Sequence, residues 1–390
     1  MTFDARGLVA VAGIGETPYY RRGEAPHAEG ALRLQAIVAA CNDAGIDPAD
    51  VDGFVTYGHD PTEITKMMPA LGTRELRWAS LVFGGGGGGI AGAIAEAVAA
   101  IALGHARHVV VYRALAQKQS GRLAFAVSSA FFDDHYRAHG IIAPAQSCAM
   151  RTQRLVEHDG VPLSTLQAVA RAGYHHARNN PRAVARDFEE LDESRYLDSR
   201  WISEPLRLYD CSRENDGAAA LLLTSADVAR DLPHPPAYVL GAVQGAGPEW
   251  GELHENDADY SSGGYRQIAQ RLWKMSRLTP CDVDVAQVYE NFTGPAVASL
   301  IDHGFVTAAD AGEKIVFENL IAPNGWLPVN TAGGNIADGF LHGINLGVEA
   351  VRQIRGTSPN QVPDAAVSLL IGGPHAPLVS SSVFGSDRTL

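Results

Sequence analysis

Cysteine is scarce in this chain of 390 residues, and its four cysteines, Cys41, Cys148, Cys211 and Cys281, are scattered without any CxxC spacing. This pattern indicates neither a metal site nor a disulfide framework, so we expect no bound metal and a reducing, cytoplasmic environment. Basic residues are also few. The 31 Lys and Arg stand against 44 Asp and Glu, and the net charge of −13 argues against nucleic acid and anionic membranes as partners. Apolar runs of about 18 residues without turn signals are lacking, so no membrane span is predicted.

A side-chain nucleophile is missing where an α/β enzyme would carry one. Residues 80–83 (SLVF) are typical of a strand, six consecutive glycines follow at 84–89, and an alanine-rich apolar run continues to Leu103. Such junctions present backbone N–H groups or a nucleophile to a substrate. No Cys, Ser, Thr or Lys lies between Val82 and Gly104, and the motifs of phosphate and dinucleotide loops are incomplete. The turn therefore acts through its backbone and the space that glycine leaves.

Apolar runs and amphipathic segments alternate along the chain, which predicts an α/β fold with a sheet covered on both faces. We expect strands at 8–13, 51–57, 80–83, 108–114, 216–225, 238–245, 285–289 and, as the last one, 366–372, and helices at 31–44, 90–103, 265–275, 294–304 and 343–354. A polar stretch rich in Arg, His and aromatic residues, about 115–215, indicates an inserted cap. A proline-rich joint near 231–236 divides the chain into halves 1–235 and 236–390 of similar order, which favours a duplicated fold.

Four long segments carry a resemblance to a known family: 199–225 (SRWISEPLRLYDCSRENDGAAALLLTS), 288–295 (VYENFTGP), 328–358 (PVNTAGGNIADGFLHGINLGVEAVRQIRGTS) and 369–377 (LLIGGPHAP). The chain resembles the thiolase superfamily over nearly its full length. Within it, the chain is similar to the lipid-transfer-protein or SCP-x-like branch, whose members include retro-aldolases that shorten steroid side chains as CoA thioesters. The resemblance implies a five-layered αβαβα thiolase fold with two pseudo-repeated halves. It also implies a homodimer, in which we expect strand 108–114 to pair across a two-fold axis.

The resemblance also locates the three reactive positions of a thiolase, and none of them is reactive here. The acyl-enzyme cysteine falls inside the glycine run, near Gly88. The histidine of the Gly-His-Pro motif falls on Phe340, and the second catalytic cysteine falls on Leu370. Claisen chemistry through an acyl-enzyme is therefore not expected, because no group is left to form it.

A retro-aldol cleavage needs no acyl-enzyme, and Tyr289 is our candidate for its acid/base. Tyr289 replaces the Asn of the thiolase Asn-Glu-Ala-Phe motif, as the resemblance implies for the aldolases. The reaction needs a base for the β-hydroxyl proton and donors for the thioester enolate. Free tyrosine titrates near ~10, so Tyr289 would need a lowered pKa or a water relay. The alternative is a strand-end tyrosine that packs with its hydroxyl bonded.

Two histidines are the further catalytic candidates. The aldolase pattern Ala-Tyr-x-His-Gly corresponds to Gly339-Phe340-Leu341-His342-Gly343, so His342 is retained while the tyrosine is lost to Phe340. In the cap, Tyr136 and His139 match an aromatic-x-x-His-Gly loop that borders the site in the family. A buried, satisfied histidine is the alternative for His342, and a solvent-exposed one for His139. The pair His175-His176 lacks a third ligand at metal spacing and is predicted to lie on a helix surface.

Other predicted site residues are expected to contact the substrate. The terminal turn Gly372-Gly373-Pro374-His375 is expected, by the resemblance, to offer a backbone N–H to the thioester oxygen. The predicted substrate-binding residues are Gly88, Tyr136, Asn330, Gly333, Gly334, Phe340, Gly372 and Gly373.

Three classes of function remain open at this point. The first is a CoA-thioester lyase that cleaves a β-hydroxyacyl-CoA, with a steroid or other bulky side chain, into a ketone or aldehyde and a shorter acyl-CoA. The second is a thiolase-like acyltransferase with a non-cysteine route, and the third is a non-catalytic subunit that binds CoA thioesters. No tightly bound cofactor is expected, and coenzyme A enters as part of the substrate. The family further implies a small OB-fold partner whose zinc ribbon would come in trans, since this chain has no such cysteines.

Overall fold

The computed structural model describes residues 4–58, 60, 63–83, 86–116, 136, 138–248, 259–376 and 378–390. Its strands are β1 Val9–Glu16, β2 Tyr20–Arg21, β3 Gly53–Tyr57, β4 Trp78–Val82, β5 His108–Leu115, β6 Trp201–Ser203, β7 Leu206–Arg207, β8 Asn215–Ser225, β9 Ala237–Gly245, β10 Val285–Val288, β11 Val367–Ile371 and β12 Val379–Gly385. Its helices are α1 Glu29–Ala44, α2 Ile64–Leu71, α3 Ile90–Ala102, α4 Pro144–Glu157, α5 Ser164–Asn179, α6 Glu193–Leu197, α7 Ala226–Arg230, α8 Arg266–Ser276, α9 Thr293–Asp302, α10 Ala311–Lys314, α11 Phe317–Leu320, α12 Gly334–Ala337 and α13 Ile344–Arg355.

The two halves of the chain have the same strand order. In the first half the order is β4-β3-β5-β8-β1, and in the second it is β10-β11-β12-β9, with a bridge from Val329 to Ala286 at the outer side of β10. In each half the first strand along the chain thus borders the last one. The halves join where β1 meets β9, through the pairs Ala10–Tyr238 and Val11–Ala237. This repetition agrees with the duplicated fold, whereas the domain boundary at 235/236 stays a prediction.

The strands of each half form one half of a continuous ten-stranded sheet, and these halves are called the two sheets below. Helices form three layers around them. α1 packs on the outer face of β1, β5 and β8, and α8 packs on the outer face of β9 and β12. Between the sheets, α3 contacts β3 and β5 on one side and β9 and β12 on the other, while α13 contacts β8 and β10–β12. The order is therefore helix, sheet, helix, sheet, helix, and the predicted five-layered αβαβα fold is confirmed. The alanine-rich sequence of α3 follows from this position, because a helix between two sheets has apolar neighbours on opposite faces.

Most predicted elements agree with the structure, and helix α1 ends as expected at Gly45, with φ of 68°. Two predictions about strands are wrong. The strand at 367–371 is not the last, because β12 follows it and pairs with both β11 and β9. Strand β5 cannot pair across a two-fold axis, because β3 occupies one of its edges and β8 the other.

The prediction that His175 and His176 lie on a helix surface is wrong for His176. Its side chain is fully buried on α5. Nδ1 lies 3.2 Å from the carbonyl oxygen of Asn330, and Nε2 accepts from the backbone N–H of Ala322 at 2.9 Å. Because Nε2 accepts, Nδ1 carries the proton, and the imidazole joins the cap helix to the loop before α12.

Within the described residues, no helix is long and apolar enough to cross a membrane.

Replacing His176 should change how stability depends on pH. Burial and His175 lower the pKa of His176 to about 3, so the unfolded chain takes up a proton near pH 6.5 that the folded chain cannot. The free energy of unfolding should therefore fall as the pH falls below about 6.5, by at most about 1.4 kcal/mol per pH unit from this group. Urea unfolding at pH 7.5, 6.0 and 5.0 should show a smaller fall for His176→Gln than for the wild type.

The exposed His27 provides a matched control, since His27→Gln should keep the wild-type slope. Equal slopes for His176→Gln and the wild type would contradict the assignment of His176 as a buried, neutral link.

Candidate active site

The glycine run forms a tight turn, described for Gly86–Gly89, that leads into α3 between the two sheets. A Cβ on Gly87 would lie 1.9 Å from Cε2 of Tyr289, and one on Gly88 would lie 2.2 Å from the carbonyl oxygen of Leu378. A Cβ on Gly89 would lie 2.8 Å from Cβ of Tyr57, which is also too close. Gly86 alone among these four has room, since the nearest atom to its Cβ position is Nε2 of His342 at 3.7 Å. Among the described glycines of this turn, Gly86 therefore has the most space around its Cβ position, and the assignment of the thiolase cysteine to the neighbourhood of Gly88 stays a prediction.

The loop after β11 lies directly on this turn. Gly373 donates its N–H to the carbonyl of Gly87 at 2.8 Å, and Gly372 donates to the carbonyl of Ser380 at 2.8 Å. The N–H of His375 donates to Gly263. Because all three N–H groups have partners inside the chain, the donor for a thioester oxygen must come from elsewhere in this conformation. Contact of Gly372 and Gly373 with substrate stays a prediction.

Tyr289 follows β10, and its backbone N–H donates to the carbonyl oxygen of Ile371 at 3.0 Å. The side chain is 3% exposed, and its ring meets that of Phe340 edge-on at 6.2 Å. Burial, reinforced by Glu290, raises the pKa of the phenol, although the backbone at Gly87 and the charge of Arg113 act in the opposite direction. The pKa is raised and not lowered, so the phenol stays protonated at physiological pH, and the lowered pKa that the sequence analysis gave as one requirement for an acid/base is not found. The catalytic role of Tyr289 stays a prediction.

His342 lies between Phe340 and the glycine turn. Its backbone has φ of 54°, which is uncommon for a residue with a side chain. Three contacts fix it: Arg113 Nε donates to Nδ1 at 3.3 Å, Tyr57 donates its hydroxyl to the His342 carbonyl at 3.0 Å, and the Phe340 ring meets the imidazole edge-on at 5.3 Å. His342 as a whole residue is 4% exposed, so its imidazole lies in the interior of the site.

Behind His342 lies a buried group of charges that sequence reasoning did not find. Arg113 pairs with Asp60 at 3.3 Å, and Arg33 pairs with the same carboxylate at 3.4 Å. Thr56 donates its hydroxyl to Asp60 at 2.9 Å. The available signal was one charged residue inside the apolar strand HVVVYRA, since a buried arginine needs a partner.

Asn330, Gly333 and Gly334 shape the backbone next to Tyr289. The Asn330 side chain accepts from the N–H of Val288 and donates to its carbonyl, as a neighbouring strand would. A Cβ on Gly334 would lie 1.6 Å from Oε1 of Glu290, so only glycine fits there. Burial raises the pKa of Glu290. These contacts position the site, and direct binding of substrate by the three residues stays a prediction.

The cap residues stand further out. Tyr136 is half-buried, and His139 is exposed and donates its N–H to the Tyr136 carbonyl at 3.1 Å. No contact joins His139 to Tyr289 or His342 among the described residues, and both cap residues stay predictions. Cys148 lies near Tyr289, and its Sγ is 3.9 Å from Nδ1 of His375. The imidazole of His375 therefore lies on the same side of the site. Within the described part of the chain, no group of three or more His, Cys, Asp or Glu could hold a metal ion.

Comparisons with known proteins agree with this geometry. Residues 248–381 match the family model described as thiolase C-terminal domain-like. A steroid side-chain-cleaving aldolase from Thermomonospora curvata is 35% identical over 98% of this chain and 99% of its own. A 17-hydroxy-3-oxo-4-pregnene-20-carboxyl-CoA lyase from Mycobacterium tuberculosis is 35% identical over 95% and 97%.

Two solved structures extend the comparison. The Ltp2-ChsH2(DUF35) aldolase superimposes with a TM-score of 0.91 and 35% identity over 100% of both chains. A human mitochondrial 3-ketoacyl-CoA thiolase superimposes with a TM-score of 0.70 over 99% of this chain and 100% of its own, and its 14% identity shows the shared fold. The chain therefore belongs to the thiolase superfamily, in the lipid-transfer-protein-like branch that includes the side-chain-cleaving aldolases.

Proposed function

We propose that the protein is a carbon–carbon lyase that cleaves a β-hydroxyacyl-CoA by a retro-aldol reaction, giving a ketone or aldehyde and a shorter acyl-CoA. The observation that carries the proposal is the contact of Tyr289 with Gly87. A phenol fills the space beside a turn that has no side-chain nucleophile, which supports a role for Tyr289 in proton transfer and argues against an acyl-enzyme. An acyltransferase would need an acyl-enzyme, and Gly88, Phe340 and Leu370 cannot form one.

The proposed reaction needs no bound cofactor. The β-hydroxyl loses its proton, its oxygen forms the carbonyl double bond, and the Cα–Cβ bond pair passes to the thioester enolate. The enolate is then protonated at Cα, so one proton is lost and one is gained. In the proposed step the Tyr289 phenol gives its proton to Cα as the C–C bond breaks, while the β-hydroxyl proton passes through a water to the phenol oxygen, so that the phenol is restored and no other base is needed. Coenzyme A takes part only as the thioester of substrate and product.

The substrate class follows from the relatives. Two of them are named for steroid side chains or for a pregnene carboxyl-CoA. We therefore propose a substrate whose β-carbon carries a steroid or another bulky group.

We further propose a homodimer formed through β4. This strand ends the sheet, and among the described residues only β3 pairs with it. Leu81 is 56% exposed and Phe83 is 78% exposed beside this edge. An open strand edge with exposed apolar side chains favours pairing with a second copy by isologous contact. The edge at β4 replaces β5 as the pairing strand.

A partner protein and a location complete the proposal. The solved aldolase named above is a pair of two components, one of them a DUF35 protein. We propose that this chain also works with a small OB-fold protein carrying a zinc ribbon. No disulfide joins the four cysteines, all of which lie in the described part of the chain, and we propose the cytoplasmic location predicted from the sequence.

Replacing Tyr289 with Phe should leave folding and thioester binding nearly unchanged and lower turnover by about 10²–10⁴-fold, because the proton donor is lost. The measurement is release of the carbonyl product from a β-hydroxyacyl-CoA, with and without the OB-fold partner. Tyr112→Phe is the matched control, since its hydroxyl is buried without a hydrogen-bond partner in the described structure. Near-wild-type turnover of Tyr289→Phe would show that another group carries the proton.

Incubation with an acyl-CoA should leave no covalent adduct on the protein, because the turn has no side-chain nucleophile. Intact-mass spectrometry after acid quench measures this directly. Cys148 is the cysteine nearest to the site chemistry and is buried, with its Sγ beside His375. An acyl adduct on Cys148 that forms and decays during turnover would contradict the lyase proposal and favour an acyltransferase.

Replacing Phe83 with Glu should convert the dimer into a monomer, because the charge would be buried at the proposed interface. Sedimentation equilibrium at micromolar concentration measures the change. Met275→Glu, at an exposed position on α8, should leave the dimer intact. A wild-type protein that sediments as a folded monomer would rule out this interface.

A further inference from the structure

The glycine turn beside Tyr289 needs support from outside, because glycine loses more conformational freedom on folding than any other residue. The turn runs into α3 at Gly89, and this N-cap residue has no side-chain oxygen to accept from the first N–H groups of the helix. Those N–H groups also have no partner within the helix. The support must therefore come from another part of the chain.

Ser380, the second residue of β12, supplies this support with one hydroxyl group. Its Oγ donates to the carbonyl oxygen of Gly88 at 2.6 Å and accepts from the backbone N–H of Ala91 at 3.1 Å. A serine hydroxyl has one proton to donate and two lone pairs that accept, so both bonds can exist together. Ser380 is fully buried, so bulk water does not compete for either bond. The hydroxyl thus joins β12 to both sides of the junction between turn and helix.

The backbone of Ser380 joins the same turn to the loop after β11. Gly372 donates its N–H to the Ser380 carbonyl at 2.8 Å, and Gly373 donates to the Gly87 carbonyl at 2.8 Å. A Cβ on Gly372 would lie 2.9 Å from Oγ of Ser380 and 3.0 Å from the carbonyl oxygen of Gly87. Strand, loop and turn are therefore in direct contact, and the turn cannot shift without moving the loop.

The position of Gly87 bears directly on the phenol of Tyr289. A Cβ on Gly87 would lie 1.9 Å from the ring, so the backbone of the turn is in contact with the ring itself. Burial raises the pKa of the phenol, and the backbone of Gly87 opposes that rise. Movement of the turn would therefore change both the orientation of the ring and the proton affinity of its oxygen.

We propose that Ser380 is a positioning residue that holds the glycine turn against the ring of Tyr289 and so keeps the phenol in the orientation that proton transfer requires. The proposal rests on the lyase function above and adds a residue that acts through the backbone of Gly87 and Gly88. A residue that only stabilised the fold would change global unfolding and would leave the kcat of the folded enzyme unchanged.

Hydrogen exchange on the full-length protein tests the contact without any substrate. Ser380→Ala removes both bonds of the hydroxyl, so the N–H groups at the start of α3 should exchange about tenfold faster than in the wild type. Ser382→Ala is the matched control on the same strand. Its hydroxyl is also buried but donates to the carbonyl of Gly241, so its loss should leave the start of α3 unchanged. Equal exchange there in Ser380→Ala and the wild type would overturn the proposal, whether or not the protein cleaves any β-hydroxyacyl-CoA.

Turnover then tests whether Ser380 affects the chemical step. We expect Ser380→Ala to lower kcat by about 10–10²-fold with little change in KM, because a small displacement of a reacting group has effects of this size while the substrate contacts remain. Ser382→Ala should keep the wild-type kcat. A loss confined to KM, or equal losses of kcat in the two variants, would contradict a positioning role. A wild type that shows no cleavage would contradict the lyase function, and the exchange measurement would then decide whether Ser380 holds the turn.

A double-mutant cycle shows whether the effect passes through Tyr289. In the Tyr289→Phe background there is no phenol to orient, so Ser380→Ala should lower the remaining kcat by less than about threefold. The same fold-loss in both backgrounds would show that Ser380 does not act through Tyr289.

The wild type alone gives a decisive measurement if Ser380→Ala does not fold. Amide-resolved hydrogen exchange should find the N–H of Ala91 as slow as that of Ala97, which lies in the middle of α3 and is also buried. Rapid exchange at Ala91 would show that the Ser380 hydroxyl does not hold the start of the helix, and it would overturn the proposal.

Discussion

The close contact between Gly87 and the ring of Tyr289 is the constraint on which the site depends. A Cβ at Gly87 would lie 1.9 Å from the ring, so the turn and the phenol can occupy the layer between the two sheets only if the turn is glycine. The same turn also binds the loop after β11, because the carbonyl of Gly87 accepts a hydrogen bond from the N–H of Gly373. Absence of a nucleophile and presence of the tyrosine are therefore one structural arrangement.

Neutral side chains border this turn, and the formal charges lie behind them. Burial keeps the Tyr289 phenol protonated by raising its pKa, and the formal charges stay behind it, where Arg113 and Arg33 share Asp60. Paired buried charges are costly to break, which gives His342 a rigid neighbour. Phe340 stands between Tyr289 and His342 and contacts both rings edge-on.

The alternation of apolar runs and helices predicted an α/β fold, and the resemblance to the thiolase superfamily implied its five layers. The sequence also located the glycine turn and Tyr289. It failed where partners come from distant parts of the chain. Strand β12 was not predicted because VSSSVFG has three serines, which β9 and β11 bury. His176 resembled a surface residue because its acceptor and donor lie about 150 residues away. Arg113 stood alone in an apolar strand, and only the fold brings Asp60 and His342 to it.

The central claim is that cleavage proceeds without an acyl-enzyme and ends with a proton delivered to Cα. Turnover of a β-hydroxyacyl-CoA in D₂O, without added coenzyme A, tests it most directly. We expect equal amounts of ketone or aldehyde and of a shorter acyl-CoA that carries one deuterium at Cα, as measured by mass spectrometry. Cleavage that requires free coenzyme A, or a shorter acyl-CoA without deuterium, would contradict it.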